Sequence, residues 1–320
     1  MRPELIPYGH ISSYAVLMLA GFLSGFLLAR ARARQSGLEA RHVDNISLLL
    51  LITGPLGARL ISRLFYLPNT TFWSALKVWE GGGLVFYGGL ILGVLSAVLY
   101  CLLARISAVQ ILDLFAPSVA LGLAFGRVGC FLAGCCWGDV CVSEIDTAQL
   151  TSLQRRQIHT IVALSGEGVP FAVRFPQGSD IFQQHRDFGL IGPDSAVSLP
   201  VHPVQIYEAG LALALCVALI RLSLRPRFQG EVICALGVGY ACIRFPLEFL
   251  RADNPPIYFG LTLSQVISLL LGLGCTALLL QGRRAMAHQR IASFCEGAVA
   301  SEAGVRPTQT ENVSSLLPKV

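Results

Sequence analysis

Long apolar runs separated by short polar breaks repeat along most of the chain, and their length is that of a bilayer. An α-helix needs roughly 20 mostly apolar residues to cross the hydrocarbon. Seven runs approach this: 11–29, 46–66, 84–104, 109–126, 203–221, 231–250 and 261–281. The fourth and fifth are the weakest, being short and flanked by polar residues. Every backbone polar group must be paired in lipid, so the pattern predicts an all-α, seven-transmembrane-helix bundle. Residues 139–200 break the rhythm with "QRRQIHT", "SGEGVP" and "GPDSAVS", and "PFAVRFPQG" alternates like a short strand ending in a turn. Residues 285–320 turn polar again. The expected organisation is helices 1–4 with a loop over 1–138, an inserted head over 139–200, helices 5–7 over 201–284, and a loosely ordered tail over 285–320.

Composition agrees with the pattern. Of 320 residues, 54% are hydrophobic and 13% charged, with a mean hydropathy of +0.63. A soluble domain carries about 25% charged residues. The net charge of +5 reads as membrane topology and not as nucleic-acid binding. Arg30, Arg32, Arg34 and Arg41 follow the first run, and Arg105 follows the third. Arg221, Arg225 and Arg227 follow the fifth, while Arg283, Arg284 and Arg290 follow the seventh. Basic residues collect on the cytoplasmic side. Alternate gaps are therefore cytoplasmic, giving an outside N-terminus, a cytoplasmic C-terminus and an extracytoplasmic head between helices 4 and 5.

Polar groups at membrane depth mark a functional interior. Arg127 stands at the end of the fourth run, "HPVQIYEA" with His202 and Glu208 opens the fifth, and "IRFPLEFLRADN" closes the sixth. Arg244, Glu248 and Arg251 are spaced i, i+4 and i+7, which predicts one helix face, with Pro246 as a possible kink. Arg251 reads as a snorkelling or bridging residue. A guanidinium binds phosphate through two parallel bonds and stays charged in a poor dielectric. Arginines at headgroup depth therefore suit a phospholipid, and could stabilise a phosphate leaving group.

The cysteines divide by position. Cys101, Cys216, Cys234, Cys242 and Cys275 lie in apolar runs, where cysteine is a small core residue, and Cys295 is in the tail. Cys130, Cys135, Cys136 and Cys141 form C-x4-C-C-x4-C on the outer side. That grouping leaves open structural disulfides, a reactive active-site thiol and a metal site. Its spacing matches no common zinc pattern, so no metal or cofactor is expected.

Taken together, these residues resemble the prolipoprotein diacylglyceryl transferase family from about residue 10 to 281. The family signature reads approximately G-R-x-G-N-F-x-N-x-E-x-x-G, and here it stands as "GRVGCFLAGCCWG" over 126–138. Further landmarks follow in order: "YAVLMLAGF", "GARLISRLFY", "KVWEGGGLVFYGG", "DLFAPSVALGLAFGR", "LPVHPVQIYEA", "RFPLEFLR" and "TLSQVISLLLG". The resemblance implies a bacterial inner-membrane enzyme of lipoprotein biosynthesis. It would move the diacylglyceryl group of phosphatidylglycerol to the lipobox cysteine of a prolipoprotein, with those two substrates and membrane lipids as its partners. It also implies headgroup contacts from Arg127 and Arg244, orientation of those arginines by Glu248, and a cavity lined by Tyr14 and Glu208. Tyr87, Asp113 and Gly138 would join the phosphatidylglycerol-binding set. The signature's first asparagine is Cys130 here and its glutamate is Cys135, so both cysteines join Arg127, Arg244 and Glu248 as candidate catalytic residues. The histidine of the family's "FHGG" is Tyr87. These departures keep two other readings in view: a transferase with another acceptor and an enzyme cysteine as nucleophile, and an inactive lipid-binding or redox membrane protein.

Overall fold

Each of the seven apolar runs is helical in the computed structural model, which describes residues 4–6, 11–66, 86–141, 171–251 and 260–302. α1 covers Ser13–Ala33, α2 Ala40–Tyr66, α3 Phe86–Ala104 and α4 Ala108–Ala133. A short α5 (Asp180–Asp187) lies in the polar insertion, followed by α6 (Val204–Ser223), α7 (Glu231–Leu247) and α8 (Leu263–Glu302). Six of them are long and apolar enough to cross a membrane, and α3 holds the shorter apolar helix. A small antiparallel hairpin, β1 (Glu4–Ile6) with β2 (Ile11–Ser12), precedes α1.

The helices present leucines outward. Leu19, Leu23 and Leu27 on α1, Leu95, Leu99 and Leu103 on α3, and Leu270 and Leu273 on α8 are all exposed. A helix apolar on every side is stable only within protein or lipid. The inward faces are instead small or polar. α4 is the centre, packing against α1, α6 and α7, while α8 packs on α7. Ala116 and Ala120 of α4 meet Cys216 and Leu219 of α6 and Val232 and Leu236 of α7. α2 and α3 pair antiparallel along their length: Gly57 lies against Gly88, Leu50 against Gly93, and Ile46 against Cys101. A Cβ at Gly57 would strike the Gly88 carbonyl. Close approach of this kind, through small residues, is how helices associate without a hydrophobic driving force between them.

The bundle has two unlike ends. At one, α1 finishes with Arg30 and Arg32, and the Arg32 guanidinium donates to the Leu114 carbonyl. At the other, Gly134 caps α4 at φ 77°, its N–H donating to the Cys130 and Phe131 carbonyls. A left-handed C-cap favours glycine because it has no Cβ. Past it the chain pairs with distant segments, Gly138 with Arg251 and Val140 with Val201. The insertion sits over this end with a small core of Trp137, Val140, Phe175, Ile181 and Val201. The alternation expected around 171–177 forms only isolated bridges, Val173 to Val201 and Pro176 to Val197. Residues 142–170 of the insertion lie outside the described residues.

Two expectations are corrected. The loose tail does not begin at 285, because α8 continues to Glu302; "RRAMAHQRIA" contains strong helix formers that extend the turn. The face proposed for Arg244, Glu248 and Arg251 is also not one continuous α-helix. α7 ends at Leu247, Glu248–Leu250 forms a 3-10 turn, and Arg251 is extended. Pro246 lacks an N–H and crowds the preceding turn, so the regular helix stops beside it.

Candidate active site

Four helix ends deliver polar residues to one place. Arg127 and Cys130 occupy successive turns near the end of α4. Gln205 and Glu208 do so at the start of α6, and Tyr240 and Arg244 at the end of α7. Thr262 caps α8 in a reciprocal arrangement with Gln265: the Thr262 N–H donates to Gln265 Oε1 at 2.9 Å, and the Gln265 N–H donates to Thr262 Oγ1 at 3.2 Å. This capping box satisfies two donors at the helix N-terminus. The Thr262 hydroxyl then donates to Glu248 Oε1 at 2.9 Å, so the cap also positions the carboxylate.

Two buried carboxylates hold the arginines. Glu208 Oε2 lies 2.9 Å from Arg127 Nε and 3.4 Å from Arg244 Nη1, and the Tyr240 hydroxyl donates to its Oε1 at 3.4 Å. Glu248 Oε2 lies 2.7 Å from Arg244 Nη2 and 3.9 Å from Arg251 Nε. Arg244 Nη2 also donates to Ser264 Oγ at 3.4 Å. Breaking such a buried pair by removing one partner costs about 3 to 5 kcal/mol, because the other charge is left uncompensated. Arg127, Arg244 and Arg251 thus gather around two buried carboxylates. The Glu208 side chain is 1% exposed and that of Arg127 17%, so Arg127 is the open face of the cluster.

The structure redistributes the expected roles. Arg127, Arg244, Glu208 and Glu248 come together. Glu208, expected only to line a cavity, bridges the two arginines, and Glu248 orients Arg244 and Arg251. Arg251, expected to snorkel or to bridge, is buried and lies against Glu248, as the second alternative has it. Tyr14 begins α1 and packs its ring over Gly129, within electrostatic reach of Arg127 and the nearby thiols. Gly138 contributes through its backbone, donating to the His202 carbonyl at 3.0 Å. Tyr87 lies in the first turn of α3, and its side chain is outside the described residues. Asp113 does not join the site. It sits 14 residues before Arg127 on α4, roughly 21 Å along the axis, and accepts from the Gly230 N–H at 2.6 Å and the Ile233 N–H at 2.8 Å. It caps α7 at the opposite end of the bundle, satisfying otherwise orphaned donors. Tyr240, Gln205, Thr262 and Ser264 were not anticipated, although the T-x-x-Q capping pattern was visible in "TLSQ".

The outer cysteines resolve into three and one. Cys130, Cys135 and Cys136 have sulfurs all within 4.8 Å of one another. Cys141 is separate and buried; its thiol donates to the Asp139 carbonyl at 3.8 Å, and burial pushes its pKa up to about 11. All four are free thiols. Gln205 Nε2 donates to the Cys135 carbonyl at 2.8 Å, tying the turn to α6. Cys136 adopts φ 59°, a left-handed conformation rare outside glycine. Hydrogen bonds from the Cys130 and Cys135 thiols lower the pKa of Cys136, with Arg251 and Arg127 adding to the effect, and the same trio raises Cys135. His202, at the entry to α6, is buried, and desolvation lowers its pKa.

Residues 3–281 match the model of the family described as prolipoprotein diacylglyceryl transferase. A Nitratidesulfovibrio vulgaris protein named phosphatidylglycerol–prolipoprotein diacylglyceryl transferase is 35% identical over 280 residues, covering 83% of this chain and 88% of its own. Proteins of the same name from Burkholderia ambifaria and Clostridium tetani are 31% and 29% identical. They cover 85% and 84% of this chain, and 90% and 93% of themselves. With a match that runs from the first helix into the last, the chain belongs to the prolipoprotein diacylglyceryl transferase family.

Proposed function

We propose that this chain transfers the diacylglyceryl group of phosphatidylglycerol to the lipobox cysteine thiol of a prolipoprotein. The observation that carries the reading is the convergence of Arg127 and Arg244 on a single oxygen of Glu208. Two guanidiniums drawn to one buried point present the paired donors that a phosphodiester monoanion binds. Arg127 lies six residues before the end of α4, just past its apolar run, about 9 Å inside the helix end. That depth matches a lipid headgroup and not bulk solvent.

In the transfer, the acceptor sulfur forms a bond to the glycerol carbon of the lipid as that carbon's bond to the phosphate oxygen breaks. Glycerol phosphate leaves carrying the additional charge. Arginines already fixed by Glu208 and Glu248 stabilise that charge without reorganising, which is where most of the rate enhancement arises in such sites. Tyr14 and Ser264 border the same region and supply hydroxyls for the headgroup.

An enzyme cysteine as nucleophile fits less well. Alkylation of Cys130 or Cys135 would give a thioether, which is not a leaving group and could not pass the lipid on. On the proposed reading, all seven apolar helices cross the bacterial inner membrane. The insertion forms an extracytoplasmic head between helices 4 and 5, and the arginine-rich end is cytoplasmic. Incubating the purified protein with phosphatidylglycerol labelled in its diacylated glycerol and a lipobox peptide tests the function. Label in a thioether on the peptide cysteine is expected; label on the protein, or phospholipid binding with no transfer, overturns it.

A further inference from the structure

We propose that Cys130, Cys135 and Cys136 form a zinc site whose fourth coordination position takes the acceptor's cysteine thiol. The inference rests on the transfer reaction above and adds the group that makes its nucleophile. Zinc binds sulfur at about 2.3 Å in tetrahedral geometry, which spaces its sulfurs roughly 3.8 Å apart. The three sulfurs here lie within 4.8 Å of one another, a separation that small χ1 rotations close. Three protein ligands with one position left for substrate is the arrangement of catalytic zinc, while four protein ligands make a closed structural site. Cys141 is directed to the Asp139 carbonyl and is not part of the group.

The backbone arranges this trio from two sides of a helix end. Cys130 comes from the last turn of α4, and Cys135 and Cys136 from the turn beyond Gly134. Gln205 anchors that turn through the Cys135 carbonyl. The site is also placed for the reaction. Cys130 is one turn from Arg127 on α4, and Gly138, two residues beyond Cys136, pairs with Arg251.

Such a group would meet one requirement of the chemistry. A free thiol is a weak nucleophile until it loses its proton. The two carboxylates in the cluster are occupied: Glu208 is held by Arg127 and Arg244, and Glu248 by Arg244 and Thr262. A thiol that coordinates zinc is deprotonated outright. Its proton leaves to solvent or to the departing glycerol phosphate. The zinc-bound thiolate supplies the electron pair for the new carbon–sulfur bond, and the electrons of the broken carbon–oxygen bond leave on the phosphate. The displacement involves no oxidation or reduction, consistent with a redox-inert ion. The product thioether is a poor zinc ligand, so the product is released.

The experiment uses the full chain purified in detergent. About one zinc per chain is expected, falling at least tenfold in Cys130→Ser, Cys135→Ser and Cys136→Ser, with the exposed Cys242→Ser as an unaffected control. Replacing zinc by cobalt(II) should produce thiolate charge-transfer and tetrahedral visible bands. A lipobox peptide should shift those bands, and the same peptide with serine in place of cysteine should not. Copper in place of zinc, a disulfide within the trio, or cobalt bands unmoved by the cysteine peptide would overturn the site. Transfer that persists in the chelated protein and in the triple serine variant would overturn it while leaving the proposed function standing. Zinc bound by the three cysteines and a peptide-dependent shift, with no lipid reaching the peptide, would instead remove the transfer reading.

Discussion

Glu208 decides the geometry of the cluster, because one of its oxygens meets both Arg127 and Arg244. Glu208→Gln keeps the shape but leaves two guanidiniums facing each other around a neutral amide. Transfer is expected to fall by roughly 100-fold, on the order of 3 kcal/mol. The measurement is kcat/KM for phosphatidylglycerol, with circular dichroism confirming the fold; activity within a few-fold of the parent would show that the bridge does not position the arginines. At His185 the expectation concerns pH. Burial holds its imidazole at about 4, below its ordinary 6.5, and Nδ1 accepts from the Leu199 N–H at 3.2 Å. Above pH 6.5 both folded and unfolded chains carry it neutral, and the stability is fully present. As pH falls from 6.5 toward 4 the unfolded chain takes the proton first, so the unit around α5 should lose on the order of 3 kcal/mol across that window. Amide exchange of α5 should speed up over this range, and His185→Gln should flatten the dependence. Arg127, Arg244 and Glu248 were legible as candidate residues because charge is rare in apolar runs. The role of Glu208 was not, since which carboxylate meets which arginine depends on how α4, α6 and α7 pack. For Arg251 the sequence left bridging and snorkelling open for the same reason: it lies beyond the helix, and the pairing of its strand-like backbone with Gly138 is what turns it inward to Glu248.

At the scale of elements, hydrophobic run length located every long helix, because the demands of lipid override local propensity, but it missed the short α5 of the polar insertion. Boundaries were less legible. α4 runs on to Ala133, past the apolar run that ended at 126, carrying Arg127 and Cys130 inside the helix. α7 stops short because of Pro246, and α8 runs long because its polar continuation is still helix-forming. Asp113 shows the limit of reading by resemblance, since its place in a shared stretch suggested a headgroup contact. The structure gives it a different task, accepting two backbone N–H groups at the start of α7. Asp113→Ala should therefore lower stability by about 1 to 2 kcal/mol, the usual worth of a strong cap. Transfer per folded molecule should stay within about twofold. Unfolding in micelles measures the first quantity and a transfer assay normalised to folded protein measures the second. A large loss of activity without a loss of stability would return Asp113 to the binding site.

The whole molecule has a polarity that its parts share. α1, α6 and α8 start, and α4 and α7 finish, at the end where the carboxylates and arginines are buried together. The opposite end carries Arg30, Arg34, Arg41, Arg105, Arg221, Arg225 and Arg227 in its turns and helix tips. α3 belongs to this scheme although it is the shorter helix: its contacts with α2 run from Gly88 against Gly57 to Cys101 against Ile46, so it traverses the bundle from the site end to the arginine-rich end. On the proposed reading of seven traverses, the two chain ends fall on opposite sides. The arginines at the site end do not oppose this orientation, because Arg244 and Arg251 are buried and Arg127 is paired, so none acts as a free positive charge holding a loop in the cytoplasm. Among the described residues, the insertion exposes only Arg174 and Arg186. The expected topology is therefore an extracytoplasmic insertion and a cytoplasmic C-terminus. Alkaline phosphatase fused in the loop at Gly192 should be active and the same fusion at Gly37 inactive, while a fluorescent protein fused to the C-terminus should be bright. The reverse pattern would place the arginine cluster in the inner leaflet, where an acceptor exported across the membrane could not reach it, and the proposed reaction would fail with it.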